Sequence, residues 1–142
     1  MQSFNLILAS LAVMGLAMPI VQRDDAWQVT RFSAGVAPHS SVETVSFNLQ
    51  IGPGSPISCS GLGSAGLSSG AYLFPVNGTC DDGSASFKFA QVEDQAIKLD
   101  VLAGNTPRSH TSDPGAVAEA TGDSPLDTAT SYTGPQDFAL GN

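Results

Sequence analysis

The chain has 142 residues, 13 acidic against 5 basic side chains, a net charge of −8 and 42% hydrophobic residues. That length fits one domain with a small core. The acidic balance argues against nucleic acid and anionic membranes as partners, and leaves basic partners or partners not chosen by charge.

Met1-Gln2-Ser3 opens an uncharged apolar run from Phe4 to Ala17 that closes on Gly15-Leu16-Ala17. At about 14 residues it is too short to span a bilayer comfortably and matches the apolar core of a secretion signal. The residues before it include no Lys or Arg, so an N-terminal membrane anchor is the competing reading. Pro19 and the small residues favour cleavage. The expected organisation is a signal peptide over 1–17, a short lead-in over 18–26 and a single β domain over 27–142. The product would be secreted and extracellular, with no membrane contact after cleavage.

Trp27-Gln28-Val29-Thr30-Arg31-Phe32 is rich in strand formers. Trp27 and Val29 share one face, whereas Phe32 breaks the alternation, which predicts a bulge or a strand buried on both sides. Residues 33–43 read as a loop. Thr44–Ile51 alternates cleanly, with Val45, Phe47, Leu49 and Ile51 inward and Ser46, Asn48 and Gln50 outward. Gly52-Pro53-Gly54-Ser55-Pro56 then forces a turn.

Ile57–Ser60 is a short strand carrying Cys59, and Gly61–Gly70 reads as a loop of small residues. Ala71–Val76 is a candidate strand that Pro75 confines to an edge or an end. Asn77–Gly83 reads as a turn. Ala85–Val92 and Ala96–Leu102 form a near-ideal hairpin across Glu93-Asp94-Gln95, with Phe87, Phe89, Ile97, Leu99 and Val101 inward and Lys88, Lys98 and Asp100 outward. Residues 103–131 are rich in Thr, Ser, Asp, Pro, Gly and Ala, which predicts a long polar, partly mobile loop with at most a turn of helix at Ala116–Ala120. Tyr132, Phe138 and Leu140 restore apolar spacing in a terminal strand that closes the sheet. Six to eight short strands imply an all-β fold, a small antiparallel β-barrel or sandwich.

Cys59 and Cys80 close a loop of about 22 residues, and a structural disulfide there is worth roughly 3 kcal/mol. A widely spaced pair without nearby His is a poor zinc set. Asn77-Gly78-Thr79 is an N-glycosylation sequon in an expected surface turn. Gly61-Leu62-Gly63-Ser64-Ala65-Gly66, with Asp81 following, matches a dinucleotide fingerprint letter by letter, but no helix or βαβ unit accompanies it. His39 and His110 lie in loop-like sequence, and no serine stands in a G-x-S-x-G elbow. The pairs Asp24-Asp25, Asp81-Asp82 and Glu93-Asp94 are neighbours in sequence, and neighbours on a strand face opposite ways, so they are not catalytic pairs. Asp81-Asp82-Gly83 is more simply a turn. No catalytic residues, metal ligands or cofactor sites are therefore expected.

The order of Trp27-Gln28-Val29-Thr30-Arg31-Phe32-Ser33-Ala34, Pro38-His39-Ser40-Ser41, Val45-Ser46-Phe47-Asn48-Leu49, Cys59-Ser60, a second cysteine and Tyr132-Thr133-Gly134-Pro135-Gln136-Asp137-Phe138 resembles the fungal secreted proteins similar to the Alternaria major allergen. The resemblance implies a non-enzymatic antiparallel β-barrel of the allergen, elicitor or effector type. It would act by binding a host extracellular protein or a small ligand, phenolic in some members. It also implies that Cys59 and Cys80 form the family's central disulfide. The family's second cysteine pair and the cysteine of the allergen's covalent dimer have no counterpart here, so no covalent dimer is expected and 103–131 is left unstapled. The alternatives are a secreted hydrolase with an unrecognised acidic site, which predicts a deep acidic cleft, and a cell-wall or matrix protein.

Overall fold

Val45, Phe47 and Leu49 are buried along β2 (Val42–Gln50). Alternate side chains of a strand share a face, so this run fixes which side of the sheet meets the core. The computed structural model describes residues 26–64, 72–120 and 128–141. In it, β2 lies between β1 (Trp27–Val36) and β3 (Ile57–Ser64), antiparallel to both. The meander continues through β4 (Val76–Cys80), β5 (Ala85–Gln91), β6 (Ile97–Ala103) and β7 (Thr106–Thr111), each antiparallel to its predecessor.

The other edge of β1 is shared by two later segments. β8 (Val117–Ala120) and β9 (Ala129–Tyr132) form a hairpin that joins through Gly35↔Ser131 and Val36↔Thr130. β10 (Phe138–Leu140) covers the opposite end of β1, pairing Trp27↔Leu140 and Val29↔Phe138. Gly141 then exchanges two backbone hydrogen bonds with Ser109 of β7, at 2.9 and 3.0 Å. The last strand of the meander thereby meets the first through β10. The sheet curls into an antiparallel half-barrel whose two sides touch at this bridge, and β8 stands at the end of the strand order with β9 beside it.

The break at Phe32 is a bulge. Register passes from Thr30↔Asn48 directly to Ser33↔Ser46, so Arg31 and Phe32 stand opposite Phe47 alone. The extra residue switches the inward series from Trp27 and Val29 to Phe32 and Ala34. Phe32 is thereby placed at the centre of the core, with its ring centroid 5.0–6.0 Å from those of Phe47, Phe89, Tyr132 and Phe138.

Several expectations are corrected. The stretch 103–131 is not one loop. Gly104-Asn105 forms a two-residue turn, after which Thr106–Thr111 pairs residue by residue with β6. The polar side chains of β7 hid it, because that strand is held by its backbone ladder more than by apolar alternation. Ala116–Ala120 is extended rather than helical, since pairing with β9 and burial of Ala116 and Val117 outweigh the helix propensity of alanine. Residues 33–36 and 42–43 of the expected 33–43 loop belong to β1 and β2. Ile51 lies beyond the end of β2 and is exposed. β3 runs on to Ser64, within the expected Gly61–Gly70 loop. Tyr72–Pro75 is not a strand, and Asn77–Cys80, read as a turn, is most of β4. The signal segment 1–17, the lead-in up to residue 25, and residues 65–71, 121–127 and 142 lie outside the described residues.

Candidate functional site

Cys59 and Cys80 are register partners on β3 and β4 and are joined by a disulfide, which leaves no free cysteine. The bridge sits on the shortest seam of the meander. β3 and β4 share two register pairs, Cys59↔Cys80 and Ser60↔Thr79, where β2 and β3 share eight. Asn77 and Thr79 of the sequon point outward from β4 and are exposed.

The dinucleotide-like glycines serve strand packing. Gly61 and Gly63 lie on the inner face of β3 against β4, and a Cβ on Gly63 would stand 2.8 Å from Val76 Cγ2. Gly66 lies outside the described residues. Asp82 closes the turn after β4: Oδ1 accepts the Ser84 amide at 2.9 Å and the Ser84 hydroxyl at 2.6 Å, and these bonds hold its carboxyl below the ordinary range. Glu93–Gln95 is a tight turn with Asp94 and Gln95 at φ of +60° and +59°, and Asp24-Asp25 lies outside the described residues.

His39 stands in the exposed β1–β2 turn, and His110 stacks on Phe138 with centroids 4.0 Å apart. Burial holds His110 below the ordinary imidazole value, opposed by the charge of Asp113. Ser112, two residues from His110, accepts the Ile97 amide and donates to the Asp113 carbonyl, so its hydroxyl is engaged by backbone. Among the described residues no three His, Cys, Asp or Glu side chains gather where they could hold a metal ion.

The concavity that collects polar groups is on the outer face of β1–β3. Arg31, Ser46, Asn48, Ser58 and Ser60 line a groove of about 290 Å³, with Phe47 and Cys59 beneath. Phe47 and Cys59 turn their side chains into the core, so their backbone forms the floor. Ser46↔Ser60 and Asn48↔Ser58 are register pairs, and the Ser58 hydroxyl donates to Asn48 Oδ1 at 3.3 Å. Arg31 reaches this face through the bulge, where its φ is +56°. Two contacts fix that conformation: the Arg31 amide donates to Asp137 Oδ1 at 3.1 Å, and the Phe32 amide donates to the Gln136 carbonyl at 2.9 Å. The left-handed region costs an L-residue about 1–2 kcal/mol and suits glycine at such a bulge. His39, Asp94 and Gln95 share this conformation in the connections between strands, and among the described residues Arg31 is the non-glycine residue that adopts it within a strand. The break in alternation at Phe32 announces the bulge in the sequence, but the groove needs the β2–β3 register and is not legible there.

Glu43, in a stretch that reads as loop in the sequence, is a second polar feature of the strands. It lies on the inner face of β2, has no solvent exposure, and accepts the Phe74 amide on Oε1 at 2.7 Å. Burial outweighs that hydrogen bond and pushes its carboxyl up to about 7. Such a value suits a general acid, yet the side chain is sealed from any substrate. Its signal was the alternation itself: Glu43 is in phase with Val45, Phe47 and Leu49.

No protein-family model matches the chain, and no curated protein matches it. Two crystal structures of the Alternaria alternata major allergen Alt a 1 are similar to it, each at 16% sequence identity. One aligns over 85% of this chain and 94% of its own with a TM-score of 0.33, the other over 88% and 93% with a TM-score of 0.34.

Proposed function

We propose that this chain is a secreted, non-enzymatic binding protein whose site is the groove around Arg31. The observation that carries the reading is the left-handed Arg31 on a hydroxyl- and amide-lined face, at a position where the fold alone would be served by glycine. A guanidinium presents a planar fork to carboxylates, and Ser46, Ser58, Ser60 and Asn48 offer donors and acceptors for hydroxyl groups. Arg31 is the one charged side chain lining the groove, which suits a single carboxylate on a small hydroxylated ligand, while the net charge of −8 disfavours an extended polyanion. Secretion rests on the apolar run from Phe4 to Ala17 and on a disulfide that persists in an oxidising compartment. Asn77 is proposed as glycosylated, since both sequon side chains that matter are exposed on β4.

The test is chemical-shift mapping with galacturonate, galactose and acetate. Ser46, Asn48, Ser58 and Ser60 should shift with galacturonate and stay still with galactose. Equal response to galactose removes the role of Arg31. Silence toward all three overturns the small-ligand reading and leaves a host extracellular protein, to be sought by pull-down from host extracellular fluid.

A further inference from the structure

The chain entering β4 is held at one end of the barrel by two side chains. The Leu73 amide donates to Gln91 Oε1 at 2.8 Å, and the next amide, Phe74, donates to Glu43 Oε1 at 2.7 Å. Gln91 ends β5 and Glu43 is the second residue of β2, strands separated in the sheet by β3 and β4. Residues 72–75 have no ladder of their own, so these bonds from both sides are what secures them. Between the two anchors Leu73 is fully buried in the core.

The anchor on β2 is half satisfied. Glu43 Oε2 is buried and has no hydrogen-bond partner among the described residues. No charged side chain of the described residues faces it. Arg31 on β1 and Lys88 on β5 stand exposed on the outer face, and β3 and β4 carry no ionisable group other than their bridged cysteines. Tyr72, His39 in the turn before β2, and Glu119 on β8 are exposed. Tyr132 on β9 donates its hydroxyl to the Pro135 carbonyl. A protonated Glu43 keeps Oε1 as an acceptor at little cost. Ionisation strengthens the bond from the Phe74 amide to Oε1, but it also leaves charge on the buried, unpartnered Oε2, and this burial cost, which outweighs the bond, is relieved by water. Among the described segments that contact it, 72–75 is the one outside a β ladder and therefore the one able to yield.

We propose that Glu43 and Gln91 form a latch holding Leu73 in the barrel end, and that proton loss from Glu43 releases it. Ionisation is favoured in the open state, where the carboxyl is hydrated, so opening becomes more frequent as pH rises between the ordinary carboxyl range and the value imposed by burial. Acid closes the barrel end and neutral pH loosens it.

Hydrogen exchange at Leu73 and Phe74 tests this. After correction for the intrinsic rate, protection should fall about tenfold per pH unit from about 4.5 to about 7 and level off above. It should do so by a route insensitive to low urea, which marks local opening. Glu43→Gln keeps the acceptor and cannot ionise, so its protection should show no such trend. The same trend in Glu43→Gln, or a urea dependence equal to that of core amides, overturns the latch. Should that variant not fold, carboxyl carbon-13 titration of Glu43 in the wild-type protein and in Leu73→Ala decides the matter. A midpoint near 7 that drops in Leu73→Ala supports the latch; a midpoint below about 5.5 overturns it.

Discussion

Gly78 lies directly across from Phe87, and the phenyl ring occupies the space where a Cβ would stand. The same Cβ would also press on the Ser60 carbonyl of β3, so the glycine lets β3, β4 and the ring close together. Gly78→Ala should destabilise the protein by about 1–3 kcal/mol through overpacking. The variant keeps an Asn-x-Thr sequon, so in a secreting eukaryotic host its glycan occupancy at Asn77 should match wild type while its melting temperature falls. Asn77→Gln should do the reverse, removing the glycosidase-sensitive mass with little change in melting. A Gly78→Ala protein that melts like wild type would show that the ring yields.

The Cys59–Cys80 bridge fastens the two-pair seam between β3 and β4. Replacing both cysteines with alanine should cost roughly 3 kcal/mol and lower the melting temperature by about 10 °C. Because the seam is short, the loss should show first as faster hydrogen exchange in β4, ahead of the longer β2–β3 ladder. Equal loss of protection across all strands would show that the bridge acts only through the unfolded chain.

What could be read from the sequence follows from how each strand is held. β2, β5 and β6 bury alternate large side chains, so their phase is visible in the sequence, although the ends of β2 are not: Ile51 lies beyond it and is exposed. β7 was invisible because Thr106–Thr111 is polar and is defined by its ladder to β6, although Gly104-Asn105 after a clear strand is itself a hairpin signal. β4 was masked by Asn77-Gly78, whose turn-like letters serve close packing under Phe87. The groove joins Arg31 to β2 and β3 residues through register, which no local pattern encodes. Glu43 is in phase with Val45, Phe47 and Leu49, but residues 33–43 read as a loop, so the strand alternation began one residue too late to include it.

Arg31 separates folding from binding. Its φ of +56° is a glycine conformation, so Arg31→Gly relieves backbone strain while adding freedom to the unfolded chain. The two effects are each about 1 kcal/mol, and the variant should fold with stability within about 1 kcal/mol of wild type. Its affinity for a small hydroxylated carboxylate should fall by tenfold or more, as loss of a charge-assisted pair requires. A stable variant with unchanged affinity would remove Arg31 from the site. A variant losing several kcal/mol would show that the side chain serves the fold, which the exposed guanidinium gives no reason to expect.

Glu43 makes stability fall as pH rises. Its folded-state value of about 7 lies above the ordinary 4.5, so the unfolded chain releases the proton first. The stability it contributes is complete below about 4.5 and is lost progressively as pH climbs to about 7, a difference of up to about 3 kcal/mol. His110 acts in the opposite sense: its lowered value means that acid favours the unfolded chain below the ordinary imidazole range. Comparing wild type with Glu43→Gln cancels the histidine, because both proteins carry it. Urea denaturation at pH 4.5, 6 and 8 should therefore show wild type losing stability relative to the variant at each step. Parallel pH profiles would mean that Glu43 is hydrated in the folded protein and that its burial does not govern its proton.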